Sequence, residues 1–122
     1  MTEYLQPRDV RGLIQQLGFH VRDSNLLLSA LAAPLPVFGE EVYHGELAKA
    51  AALLVAINRN HPLADGNKRL AWIVAKTFLA LNGFHLASGP VHEADVFIRR
   101  VADGSAEHVE VVTWMEARVS PL

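Results

Sequence analysis

The chain has no cysteine. That absence excludes a disulfide framework, a thiolate metal site and a cysteine nucleophile, and it fits a reducing cytoplasm. An excess of one charge is also missing. With 11 Lys and Arg against 13 Asp and Glu, the formal net charge is -2. No bulk positive potential is available to hold nucleic acid, so no direct nucleic-acid partner is expected, although a local basic pocket remains compatible with this balance. Long apolar runs are lacking too. Lys49, Arg59, Lys76 and Asn82 interrupt the longest of them, and none nears the roughly 20 residues of a membrane span. Residues 1–7 carry Glu3 and no apolar stretch, so no signal peptide is expected. The chain shows no internal repeat and no low-complexity tail. These absences point to a cytoplasmic protein without a membrane partner.

What is present suffices for a core. The 122 residues are 51% apolar and 20% charged, which suits one globular domain spanning 1–122. The periodicity is helical nearly throughout. Pro7 suits a first turn, Val10, Leu13, Ile14 and Leu17 follow at helical spacing, and Gly18 is a stop. Asp23 or Ser24 can cap a second helix carrying Leu27, Leu28, Ala30 and Leu31, which Pro34 and Pro36 end. Residues 34–44 read as an extended loop with Phe38, Val42 and Tyr43 as anchors. Residues 45–60 form an alanine-rich helix that is expected to be central, and residues 60–66 are a break. A fresh helix starts at Gly66 or Asn67 and runs to Asn82, with Asn82-Gly83 as its stop. Residues 91–102 make a shorter helix with Val96, Phe97 and Val101 inward. Ser105 is expected to cap a last helix that carries Val109, Val112, Trp114 and Met115. Residues 83–88 or 37–43 could form a small ribbon. The class is therefore all-α, a compact bundle of about six helices.

The chemistry concentrates in the run His61-Pro62-Leu63-Ala64-Asp65-Gly66-Asn67-Lys68-Arg69. The residue before a proline is pushed out of helical geometry, so His61 should sit at or beyond a helix end. A loop entering a helix N-terminus presents unpartnered N–H groups and partial positive charge to an anion. Gly66 lets a phosphate approach the backbone. Asn67 can donate from its amide, Lys68 adds a mobile charge and Arg69 a rigid fork. Charge-assisted bonds of this kind contribute roughly 1.5–3 kcal/mol each. Asp65 would be the magnesium ligand. His61 could take the proton of an attacking hydroxyl. Leu63 should point into the core and pin the loop.

Ordinary turn chemistry would also produce His-Pro and Asp-Gly-Asn. Two cations at a helix N-terminus nevertheless want an anion, because that end is mildly unfavourable for positive charge. The run is not a Walker A loop, since no Gly-Lys-Ser/Thr occurs. His44-Gly45-Glu46 imitates part of a zinc deaminase site, but the cysteines that would complete it are absent. His92-Glu93 is not a zincin, because position 96 is Val. His20, His85 and His108 read as surface or satisfied histidines, Arg99-Arg100 as a solvated face, and Trp114 and Met115 as core. Arg59 and Asn60 could reach a nucleotide or cap the preceding helix.

The nine-residue run resembles the signature of the Fic/Doc family, His-x-Phe-x-Asp/Glu-Gly-Asn-Gly/Lys-Arg, through His61, Asp65, Gly66, Asn67, Lys68 and Arg69. It is most similar to the Doc branch, the death-on-curing toxins, whose motif ends Asn-Lys-Arg. Residues 21–34, 37–52 and 78–84 resemble that branch too, so the likeness covers most of the chain. The resemblance implies a compact helical fold with the site between the two central helices. It places His61 as general base, Asp65 as metal ligand, and Gly66, Asn67, Lys68 and Arg69 as the phosphate loop. Three departures stand out. Leu63 replaces the usual Phe, Trp72 falls where fuller Fic motifs carry a second arginine, and Lys68 replaces the second glycine. In the Doc branch the lysine goes with a flipped nucleotide and transfer of the terminal phosphate.

The resemblance thus implies a magnesium- and ATP-dependent protein kinase unlike the ordinary kinase fold. Its implied target is a threonine of elongation factor Tu, and its implied consequence is inhibition of translation. A Phd-like antitoxin is the implied partner. The flap that presents a target chain is expected somewhere within residues 36–44, although no motif places it. AMP transfer of the Fic type is the alternative enzyme, and a catalytically idle binding module is the alternative outside the enzymes.

Overall fold

The computed structural model describes residues 1–122, the side chain of Val91 excepted. Helix α1, Pro7–Gln16, opens on its proline, and Asp9 Oδ2 accepts from the Gln6 N–H at 3.1 Å. Helix α2, Ser24–Ala32, is capped by Asp23, whose Oδ1 accepts from the N–H groups of Asn25 and Leu26. Helix α3 spans Glu46–Asn60 and α4 spans Asn67–Leu81. After them come α5, Val91–Ala102, and α6, His108–Glu116. Strands β1, Phe84–Leu86, and β2, Val119–Pro121, pair antiparallel with His85 opposite Ser120. Six helices and this one ribbon make up the regular structure of the described residues, so the helical class expected from the periodicity holds.

Helix α3 is the hub, in contact with α2, α4, α5 and α6. Its pairing with α4 is the most extensive. Ala50, Ala51 and Ala52 on α3 and Ala71 and Ala75 on α4 are all buried. Small side chains at a helix contact let the axes come close. Larger ones, Leu54, Ile57, Leu70, Val74 and Phe78, fill the remaining space. The pair is therefore a stiff frame, and the turn between its helices inherits that stiffness. No helix of the described residues is long and apolar enough to cross a membrane.

Several expectations need correction. Helix α3 begins one residue later than expected, because Gly45 sits at φ +91° outside it. Ser105 does not cap α6. Its N–H donates to Asp103 Oδ1 and its hydroxyl to the Arg100 carbonyl, so it closes a local turn, and α6 starts at His108. On α5 the inward residues are Phe97, Ile98 and Val101, whereas Val96 is exposed. A one-residue error of phase on a helix moves a side chain by about 100°. Leu28 and Leu81 are likewise exposed at the edges of their stripes. Of the expected loop anchors, Phe38 and Val42 are exposed, and Tyr43 alone packs, against the ring of His108 at 4.6 Å. The ribbon lies in the first of its two expected places. Its partner strand at the end of the chain carries no pattern that the periodicity could reveal.

One buried cation ties the periphery to the hub. Lys49 on α3 is 3% exposed. Its ammonium donates to Thr2 Oγ1 at 2.9 Å, pairs with Glu41 at 3.2 Å and lies 5.4 Å from the Tyr4 ring centre. Burial works to lower its pKa, but the Tyr4 hydroxyl and the Glu41 carboxylate outweigh that and hold it above the ordinary 10.5. A folded-state pKa above the unfolded one stabilises the fold at lower pH. The contribution is complete below about 10.5 and is lost as pH rises through the folded value. Melting curves between pH 9 and 12 should therefore show a loss of stability above that point in the wild type, a component that Lys49→Met lacks.

Candidate functional site

The site forms where α3 stops and α4 starts. His61 closes α3 in the left-handed region, φ 50° and ψ 57°, with its N–H on the Ile57 carbonyl. Proline at 62 forbids a continued right-handed helix. The chain therefore leaves the helix at His61, as expected, although through a left-handed rather than an extended conformation. Such a conformation costs a non-glycine residue on the order of 1–3 kcal/mol. Arg22 offsets it, since its guanidinium donates to the His61 carbonyl at 3.1 and 2.5 Å.

The rest of the turn is held by backbone pairing with the connector between α1 and α2. The Pro62 carbonyl accepts from the N–H groups of Arg22, 2.8 Å, and Asp23, 3.1 Å. Ala64 N–H donates to the His20 carbonyl at 2.9 Å, and Val21 and Leu63 form a bridge. Leu63 is 1% exposed and pins the loop in the core, as its apolar side chain predicts.

Asn67 serves this same turn. Its Oδ1 accepts from the Leu63 N–H at 2.8 Å, and its Nδ2 donates to the Leu63 carbonyl at 3.1 Å. The structure thus places the amide on the loop backbone. Gly66, at φ +90°, lies against Phe19, whose ring atoms would be only 2.7 Å from an added Cβ. The need for glycine at 66 has a cause besides the phosphate approach read from the sequence, namely a neighbour 47 positions away in the chain.

Asp65 is exposed, and its Oδ1 accepts from the Gly66 N–H at 2.9 Å. Lys68 and Arg69 project from the first turn of α4, and neither has an ion-pair partner among the described residues. No side chain caps that helix, so its first N–H groups stay available. His61, Asp65, Gly66, Asn67, Lys68 and Arg69 all border one open cavity of about 710 Å³, a volume within the usual range of ligand sites. No group of three or more metal-ligating side chains occurs among the described residues. Asp65 alone still fits magnesium, which takes one or two carboxylates and fills its shell with water and phosphate oxygens.

Other residues of the cavity escaped the sequence. Trp72 on α4, Ser88 after β1, and Ala94, Asp95 and Ile98 on α5 complete the cavity wall. Only Trp72 carried a signal, as the replacement for an arginine. Phe19 and Arg22, which shape the turn from behind, carried none. Arg59 is not at this cavity; it borders a separate hollow with Tyr43, Glu107 and His108. Asn60 donates to the Leu26 carbonyl at 3.1 Å and so fixes the end of α3 to α2. His108 is a satisfied histidine, bonded to the Ala48 carbonyl at 2.9 Å.

The contact between Gly66 and Phe19 can be measured. Gly66→Ala should lower stability by about 1–3 kcal/mol in urea denaturation, through left-handed strain and the clash together. In a Phe19→Ala background the same change should cost distinctly less, because only the strain remains. Equal losses in both backgrounds would refute the packing argument.

Residues 4–79, which include the whole loop and most of α4, match the Fic/DOC family. Over 107 residues the chain is 47% identical to the protein named Toxin Doc from Mycolicibacterium smegmatis, covering 84% of this chain and 82% of that one. A match over more than half of the length, and an identity this high over most of both chains, show that this protein belongs to the Fic/DOC family.

Proposed function

We propose that this protein is a Doc-like toxin of a toxin–antitoxin pair, a transferase that moves the terminal phosphate of ATP onto a Ser or Thr hydroxyl of a protein. The observation that carries the reading is electrostatic. Lys68 and Arg69 stand without ion-pair partners at the uncapped N-terminus of α4, on the same cavity as His61. Cations there are unfavourable by roughly 0.3–1 kcal/mol each until an anion arrives. Charge-assisted bonds to phosphate would then contribute roughly 1.5–3 kcal/mol apiece. The similarity to the protein named Toxin Doc supports the toxin assignment.

In this reading Lys68, Arg69 and the first N–H groups of α4 orient the triphosphate. Asp65 would hold magnesium, which when bound neutralises phosphate charge. The target hydroxyl oxygen forms a bond to the terminal phosphorus, the bond from that phosphorus to the bridging oxygen breaks, and ADP departs. His61 takes the hydroxyl proton on a ring nitrogen. The imidazole is suited to this because no hydrogen bond to the described residues occupies its ring, while its backbone is held by Arg22 and Ile57. Phosphoryl transfer asks a protein mainly for positioning and charge neutralisation, which a turn of nine residues can supply. Elongation factor Tu is the proposed target, a Phd-like antitoxin the proposed partner, and the cytoplasm the proposed compartment.

The test is incubation of the purified protein with magnesium, ATP and elongation factor Tu. Label from the γ-phosphate should appear on the factor. His61→Ala should reduce the rate by about 10²–10⁴, and Lys68→Ala should weaken ATP binding. Label arriving instead from the α-phosphate would mean AMP transfer. Absence of any ATP affinity in calorimetry would leave only a binding module.

A further inference from the structure

The lining of the cavity is chemically mixed. Lys68 and Arg69 border it at the N-terminus of α4, and so do Trp72, about one turn further along that helix, and Ala94 and Ile98 of α5. A chain using this space for inorganic phosphate alone would have no use for an aromatic wall.

Trp72 is not a loose side chain. It meets Trp114 of α6 with ring centres 5.8 Å apart and planes at 76°. Trp114 in turn stacks on Phe97 at 4.6 Å and 3°, and carries the Arg118 guanidinium 4.1 Å from its ring centre. Two groups so close to one ring centre cannot share a face without overlapping. Phe97 and Arg118 therefore take opposite faces of Trp114, and only its edge is left for Trp72. In an edge-to-face pair the edge points at a face. One face of Trp72 is thus covered by the edge of Trp114, and the other is what this half-buried indole can offer to the cavity. Arg118 is itself held by its hydrogen bond to the Trp114 carbonyl, 3.2 Å, and its ion pair with Glu93, 3.6 Å. The indole is held from behind like a fixed plate.

We propose that Trp72 is the base platform of the nucleotide site, and that the purine of ATP stacks on its open face while the triphosphate runs to Lys68 and Arg69. The proposal rests on the phosphotransferase reading above and extends it to the residue that selects a nucleoside over bare polyphosphate. Charge fixes the direction. The triphosphate is drawn to Lys68, Arg69 and the free N–H groups of α4, which leaves the apolar lining of Trp72, Ala94 and Ile98 to the base. A planar base needs an apolar face, and alanine substitution in proteins that bind single-stranded nucleic acid shows that base–aromatic stacking contributes measurably to affinity. Trp72 is accordingly a specificity-determining contact with the substrate, whereas Trp114, Phe97 and Arg118 are positioning residues.

The experiment uses two probes, magnesium with ATP and magnesium with inorganic tripolyphosphate, measured by calorimetry on the full chain. Trp72→Leu should weaken ATP about ten-fold or more and leave tripolyphosphate unchanged, and Trp72→Phe should restore most of the loss. A second variant removes dependence on how well the first one folds. In Trp114→Phe, Trp72 is the sole tryptophan, and ATP should quench its fluorescence whereas tripolyphosphate should not. Equal weakening of both probes in Trp72→Leu, or ATP binding without quenching in Trp114→Phe, overturns the platform and leaves the phosphotransferase reading standing. Failure of wild type to bind either probe overturns both.

Discussion

The carbonyl of Pro62 accepts two backbone N–H groups, from Arg22 and Asp23, and the rest of the site is organised around that seam. On one side of it is the connector between α1 and α2, on the other the turn between α3 and α4. Asp23 takes part with its backbone and caps α2 with its side chain, so one residue fixes both the seam and the helix that leaves it. Arg22 takes part with its backbone and holds the His61 carbonyl with its guanidinium. Released from these bonds, His61 would have no reason to stay in a left-handed conformation that costs on the order of 1–3 kcal/mol. The backbone conformation at His61 therefore depends on a segment about 40 positions earlier in the chain, and not only on the motif that contains it.

The electrostatic design is local. A net charge of -2 gives the molecule no general affinity for anions. Lys68, Arg69 and the uncapped end of α4 create a small region of positive potential within it, and no ion pair among the described residues quenches it. The unfavourable side of this arrangement is a few tenths to one kcal/mol per charge, well below what charge-assisted bonds to a phosphate contribute. Arg99 and Arg100, by contrast, are paired with Asp95 and Glu110. The adjacent-cation pattern is the same in the two places, but Arg99 and Arg100 have partners and lie in the last turn of α5, whereas Lys68 and Arg69 have none and lie in the first turn of α4.

That contrast marks what could be read from the chain. The helices were legible because apolar spacing and punctuation by Pro and Gly are local signals, and Pro7, Asp23 and the Asn82-Gly83 stop sit where such signals place them. The motif was legible because its chemistry is contiguous. Illegible were the relations that only folding creates, such as Phe19 behind Gly66, the wall that α5 gives the cavity, and the strand at 119–121 paired with β1. The misreading of Ser105 has another cause. A serine can cap a helix or close a turn with the same hydrogen-bonding groups, and here Asp103 and Arg100 captured them first.

Asn67 shows why chemistry read from a motif has to be weighed against what the turn itself needs. An amide beside two cations at a helix start looks like a phosphate donor. In the fold its oxygen and its nitrogen are both engaged with Leu63, one backbone group each. An aspartate could accept from the Leu63 N–H but could not donate to its carbonyl, so asparagine is specified by the turn alone. The same pair of bonds bears on the smaller apolar residue at 63. With its backbone gripped by Asn67 and bridged to Val21, Leu63 does not depend on side-chain bulk alone to keep the loop in register. The amide has at most one N–H left for a ligand. The work of holding a phosphate then shifts to Lys68, Arg69 and the first N–H groups of α4, the three contributors that nothing else in the described fold engages.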